Sequence, residues 1–152
     1  MNRENLMRMA DFIQTIPQQE FSMNFYRKDR DELERHCGTV GCVIGHCTAL
    51  DTDKNFALFC HKEHDRYEVN FMSWSESFTD MLCYHREWQW CFGSSWTGSD
   101  NTPIGAAKRI MYLLKHGLPE DWRDQMLGRA PLCYLEIGLQ TPVSSKTLLK
   151  SK

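Results

Sequence analysis

Fifteen residues, His36 to Leu50 (His-Cys-Gly-Thr-Val-Gly-Cys-Val-Ile-Gly-His-Cys-Thr-Ala-Leu), gather three of the seven cysteines and two of the six histidines. Cys42 and His46 stand four apart, so a helix there would put a thiol and an imidazole on one face. Three chemistries compete for the segment. The first is plain core, because cysteine packs as a small hydrophobe and histidine can be buried when hydrogen-bonded. The second is a zinc site with Cys37, Cys42, His46 or Cys47 as ligands, in one form Cys37, Cys42 and His46 joined by His36 or by a distant cysteine such as Cys83 or Cys91. Its spacing is Cys-x-x-x-x-Cys followed by His-Cys, not the short paired spacing of structural zinc sites. The third is a nucleophile at Cys37 or Cys42, its thiolate favoured by a helix start, with His85 or His116 as the base. Core is the preferred reading. A further Cys60-His61-x-x-His64 cluster sits among Lys62, Glu63, Asp65 and Arg66 and reads as a charged turn.

A second group of residues has the chemistry of anion recognition. Thr102 caps a helix that begins at Pro103, and its first backbone N–H groups point toward any bound anion. Lys108 and Arg109 follow one turn on, Asp100 stands just before the cap, and Trp96 lies in the polar loop from Gly93 to Asn101. Trp96, Asp100, Thr102, Lys108 and Arg109 are therefore the candidate binding residues. The alternatives are an ordinary capped helix and a tryptophan that plugs the core, and the plug is the preferred reading of Trp96.

The elements that must position these groups are mostly helical. Leu6, Met9, Ile13 and Ile16 recur at helical spacing until Pro17 ends the pattern. Thr39 is the expected N-cap of a central helix, with Val40, Val43, Ile44, Cys47 and Leu50 as one stripe and Gly41, Gly45 and Ala49 as a second. Tyr67, Val69 and Phe71 alternate as a strand does, and Ser73 or Ser75 then opens a short helix. Trp88 to Phe92 fits either period. From Thr102 the grammar is clearest, with Ile104, Ala107, Met111 and Leu114 as a stripe broadened by Ile110 and Leu113, Gly117 as the stop and Pro119 beyond it. Lys108, Arg109 and Lys115 give that helix a basic outer face. A turn with Trp122 packing back follows, and Cys133, Leu135, Ile137 and Leu139 alternate as a possible last strand.

The expected fold is α+β, predominantly α-helical: a compact single domain over residues 1–140 with a central Gly/Cys-rich helix and a minor antiparallel strand pair. Residues 141–152, rich in serine and lysine, read as a flexible tail. The 152 residues suffice for one substantial core. A formal charge of −2 does not indicate direct nucleic-acid binding. The start of the sequence reads as an amphipathic helix rather than a signal peptide, no apolar run has membrane length, and the odd cysteine count suits reduced thiols, so the expected compartment is the cytoplasm. Neither a phosphate-binding glycine loop nor a GxSxG or HExxH motif is present.

The segments Cys37 to His46 and Asn101 to Ile110 resemble a loose group of uncharacterised small proteins from bacteriophages and bacteria. These begin with a similar helix and carry Cys-Gly-Thr-x-x-Cys-x-x-Gly. The likeness spans roughly residues 3–120. The group has no settled activity, so it transfers no site residues. It implies a mostly helical domain, a phage context and a host-cell cytoplasm. The expected function is accordingly a non-enzymatic accessory factor, of the counter-defence type, that binds or inhibits a host protein or a small nucleotide without a cofactor. The alternatives are a zinc-stabilised interaction domain and a cysteine-dependent enzyme.

Overall fold

The computed structural model describes residues 1–24, 27–29, 39–51, 60–63 and 66–140. Asn2 starts the first helix by accepting the Asn5 N–H on its side-chain oxygen, and α1 runs Arg3–Ile13 with Leu6, Met9, Ala10 and Ile13 buried. A 3-10 turn at Gln18–Glu20 follows Pro17. Short extended segments β1 (Arg27–Asp29) and β2 (Thr39–Gly41) run antiparallel, as do β3 (Cys60–Glu63) and β4 (Arg66–Val69). Between the two pairs lie α2 (Val43–Cys47) and a 3-10 turn at Thr48–Leu50. The rest is helical: α3 (Phe71–Thr79), α4 (Arg86–Phe92), a 3-10 turn at Ser94–Gly98, α5 (Pro103–His116) and α6 (Trp122–Met126). The chain is compact and mostly helical.

α5 is the central helix. It packs most extensively on α1 and also lies against α4. Thr102 Oγ1 accepts the Gly105 N–H at 2.9 Å, Pro103 opens the first turn, and Gly117 ends the helix at φ 78, where a side chain would be strained. The buried face is rotated from the expected stripe. Ala106, Ala107, Arg109, Ile110, Leu113 and Leu114 are buried, whereas Ile104 is 45% exposed and Met111 is half-buried. Neighbours on two sides, not one, cause this. Small residues at Gly105, Ala106 and Ala107 admit the close approach.

The Gly/Cys-rich segment departs from expectation. Its helix does not begin at Thr39: residues 39–41 are extended, Cys42 takes the N-cap position, and α2 has five residues. Gly41 therefore lies outside the helix, and no glycine stripe runs through it. Two glycines within five residues weaken the helical state by roughly 1 kcal/mol each. What remains is core. Val43, Ile44, Gly45 and Cys47 are buried against α1 and α3.

Two further boundaries differ. α3 starts at Phe71, capped by Asn70 through Ser73 N–H, so Phe71 is helical and Ser75 is interior. The segment Leu132–Leu139 is irregular, not a strand, with Tyr134 fully buried and Leu135 53% exposed. Ile137 N–H turns back onto Tyr134 O at 3.0 Å, which breaks the alternation. Met23 and Asn24 form a turn.

Candidate functional site

The candidate binding residues do converge, but inward. Trp96 and Arg109 are each 0% exposed. The polar loop Gly93–Asn101 buries its tryptophan because Trp96 Nε1–H finds Trp90 O at 2.7 Å, and Trp90 Nε1–H in turn donates to Arg109 O at 3.0 Å. Each indole thus enters the core with its polar edge satisfied. The Trp90, Trp96 and Tyr134 rings meet edge to face at 5.2–5.8 Å. Arg109 lies over Trp96 with its guanidinium carbon 4.2 Å from the ring centroid.

Asp100 supplies the counter-charge. Arg109 Nη1 is 3.3 Å from Asp100 Oδ2, and Nη1 also donates to Asp100 O at 3.2 Å and to Tyr134 Oη at 3.3 Å. The Tyr134 hydroxyl donates to Asp100 Oδ2 at 2.6 Å, and the Thr102 hydroxyl to Oδ1 at 2.6 Å. Arg109 Nε and Nη2 have no hydrogen-bond partner among the described residues, so ring contact and Asp100 carry their compensation. Burial lowers the Arg109 pKa, opposed by Tyr134 and Asp100; burial also pushes the Tyr134 phenol well above its ordinary value.

This geometry fills the anion position at the start of α5 from within. A Cβ at Gly105 would overlap the Asp100 carboxylate, so the carboxylate rests directly on the first turn. The basic outer face is corrected in the same way. Arg109 points into the core, and Lys108, half-buried, donates through Nζ to Leu135 O. Arginine next to lysine in a helix gives no sequence sign of which one turns inward. Gly105→Ala tests the arrangement: helix propensity alone would gain about 1 kcal/mol, but overlap with Asp100 is expected to lower stability by about 1–3 kcal/mol in thermal melts. The loss should vanish when Asp100 is alanine.

The thiol and metal candidates are placed as follows. His36 and Cys37 lie outside the described residues, as does His64, and the side chains of Cys60 and His61 are not described. Cys42 and Cys47 are buried, Cys47 Sγ–H reaching Met9 O at 3.9 Å. His46 Nε2–H donates to Glu20 O at 2.6 Å, which fixes its tautomer. Cys83 is half-buried and Cys91 is buried. Among the described residues no three His, Cys, Asp or Glu side chains gather as a metal site would require. For Cys42 the nucleophile reading meets the wrong electrostatics: burial raises its thiol pKa, outweighing the N–H groups of Gly45 and Ile44. Burial raises Cys47 and Cys91 as well. Peptide mass spectrometry after iodoacetamide treatment at neutral pH should therefore find Cys47 and Cys91 modified only as fast as the protein unfolds, and Cys42 modified slowly because its thiol stays protonated. Rapid labelling of Cys42 in the folded chain would restore it as a nucleophile.

An open cleft of about 360 Å³ lies on the opposite face of α4. Trp88, Gln89 and Phe92 line it, while the intervening Trp90 joins the Arg109 cluster. Met23, Cys42, Trp88 and Phe92 are almost wholly buried at its floor, and Asn24, Met72 and Ser94 stand at the rim. Trp88 Nε1–H donates inward to Ser75 Oγ at 3.0 Å, and its ring meets Phe92 edge to face at 5.5 Å. No charged side chain occurs among the described lining residues. The sequence hides this site because it is assembled from the turn at Met23 and Asn24, the starts of α2 and α3, and α4 with the two residues that follow it. Only Trp88 and Phe92, four apart, are legible as a pair.

Comparison with protein-family models, with characterised proteins and with solved structures gave no match. The chemistry of the two places is therefore the ground for a functional reading. The Arg109 cluster is interior; the cleft is open.

Proposed function

We propose that the protein is a non-enzymatic binding protein, a phage-type accessory factor that binds or inhibits a host protein or nucleotide, and that the cleft beside α4 is its binding place. The observation that carries this reading is the cleft itself: an aromatic and thioether floor, a polar rim, and neither charge nor a nucleophile–base pair among the described lining residues. Binding sites of this kind are concave and mostly apolar with a few oriented polar groups. The resemblance of Cys37–His46 and Asn101–Ile110 to small phage and bacterial proteins supports the biological setting.

The test is affinity capture from a bacterial host extract with three chains: the parent, Met72→Glu at the cleft rim and Lys108→Glu on α5. Met72 is 41% exposed, so the charge can be accommodated without unfolding. The reading expects specific partners of the parent to be lost with Met72→Glu and kept with Lys108→Glu. The opposite pattern would move binding to α5, and unaltered capture with both variants would remove the cleft from the account.

A further inference from the structure

We infer that the cleft takes an uncharged, planar nitrogen heterocycle of nucleoside size; this rests on reading the protein as a binder. Size comes first. Small-molecule sites span about 300–1,000 Å³, and 360 Å³ stands at the small end, suited to one or two fused rings and a modest substituent. Shape comes next. Trp88 has already placed its indole N–H on Ser75 Oγ, so ring carbon is what it offers to the cleft, beside Phe92 and the polarisable side chains of Met23 and Met72. Such a wall favours a flat aromatic guest over a flexible aliphatic one.

Polarity narrows the class. Gln89 commits Nε2–H to Cys83 O at 2.8 Å, which leaves its Oε1 beside Gly93, 3.1 Å from where a Cβ there would stand. That oxygen is an acceptor on the cleft wall, matched by a ring N–H or an exocyclic amine. A Cβ at Gly93 would also meet Gln89 O and Met126 Sδ, so only glycine fits beside that oxygen. Asn24 and Ser94 add neutral hydrogen-bonding groups at the rim. Cys42 contributes a thiol, not a thiolate, because burial holds its pKa up. A charged ring would lose its hydration and gain no counter-ion from the described lining.

The experiment is a ¹H–¹⁵N titration of the full chain with adenosine, indole and benzoate, repeated on Met72→Glu with its thermal midpoint recorded. Expected are saturable shifts of the Gln89, Gly93 and Ser94 amides and the Trp88 side-chain N–H with adenosine at millimolar concentration or below. Benzoate should bind at least about tenfold more weakly, and Met72→Glu should weaken adenosine to a similar extent while melting as the parent does. Shifts with indole but none with adenosine would overturn the nucleoside and point to an aromatic side chain of a protein partner. Equal affinity for benzoate would overturn neutrality, and adenosine shifts confined to other surfaces would overturn the site. Should all three probes fail while host capture still depends on Met72, the ligand class alone falls. Should that capture fail too, the binding reading falls with it.

Discussion

Asp100→Ala is expected to lower stability by about 3–5 kcal/mol, the scale of breaking a buried ion pair from one side. Four things are lost together. Arg109, 0% exposed, keeps its charge because guanidinium does not deprotonate in proteins, yet its counter-ion is gone. Tyr134 loses the acceptor that holds its hydroxyl at 2.6 Å, and Thr102 loses the acceptor for its own. The first turn of α5 also loses the carboxylate that rests on Gly105. Urea unfolding of the two chains measures the difference. A companion variant makes the cause specific: adding Arg109→Met should recover much of the loss, because the uncompensated charge has been removed with its partner. A cost below about 1 kcal/mol for Asp100→Ala, or no recovery with Arg109→Met, would show that the pair is not coupled.

Trp96→Ala is expected to cost about 3–5 kcal/mol, in the range of large aromatic truncations in cores. The side chain sits on a loop of glycine, serine and threonine, where exposure would make its removal nearly silent. Instead its ring closes the box around Arg109, meeting Trp90 at 5.2 Å and Tyr134 at 5.8 Å, and its N–H satisfies Trp90 O. Trp96→Phe separates these contributions. It keeps a ring beneath the guanidinium and leaves Trp90 O unpaired, so a smaller loss of about 1–3 kcal/mol is expected. Chemical denaturation of both variants provides the check. A Trp96→Ala chain as stable as the parent would return this residue to the surface and to recognition.

What could be read in advance was local. Thr102, Pro103, Gly117 and Pro119 spell the bounds of α5 with side chains and backbone preferences that act within a few residues, and the structure follows them. Leu6, Met9 and Ile13 likewise mark the buried face of α1. The central motif misled because 3.6-residue spacing of Val40, Val43, Ile44 and Cys47 continues into residues that are extended. Periodicity reports which side chains prefer burial, not where the backbone turns. The candidate site was half legible. Asp100, Thr102 and Arg109 were singled out, but the residue that unites them, Tyr134, stands 25 positions past Arg109 in a segment whose alternation suggested a strand. Without that partner an arginine on a helix reads as solvent-facing. The cleft was not legible, since its walls come from separate elements that only tertiary packing brings together.

The charged groups at the start of α5 are interior supports, and we propose that binding belongs to the cleft, whose described lining carries no charged side chain. Hydrogen exchange of the Arg109 Nε–H in the folded chain, followed by NMR with and without millimolar inorganic phosphate, tests this most directly. The account predicts protection comparable to the buried backbone amides of α5 and no response to phosphate. Fast exchange at the rate of a solvent-exposed guanidinium, or a phosphate-dependent shift, would contradict it and place an anion site at Thr102 to Arg109.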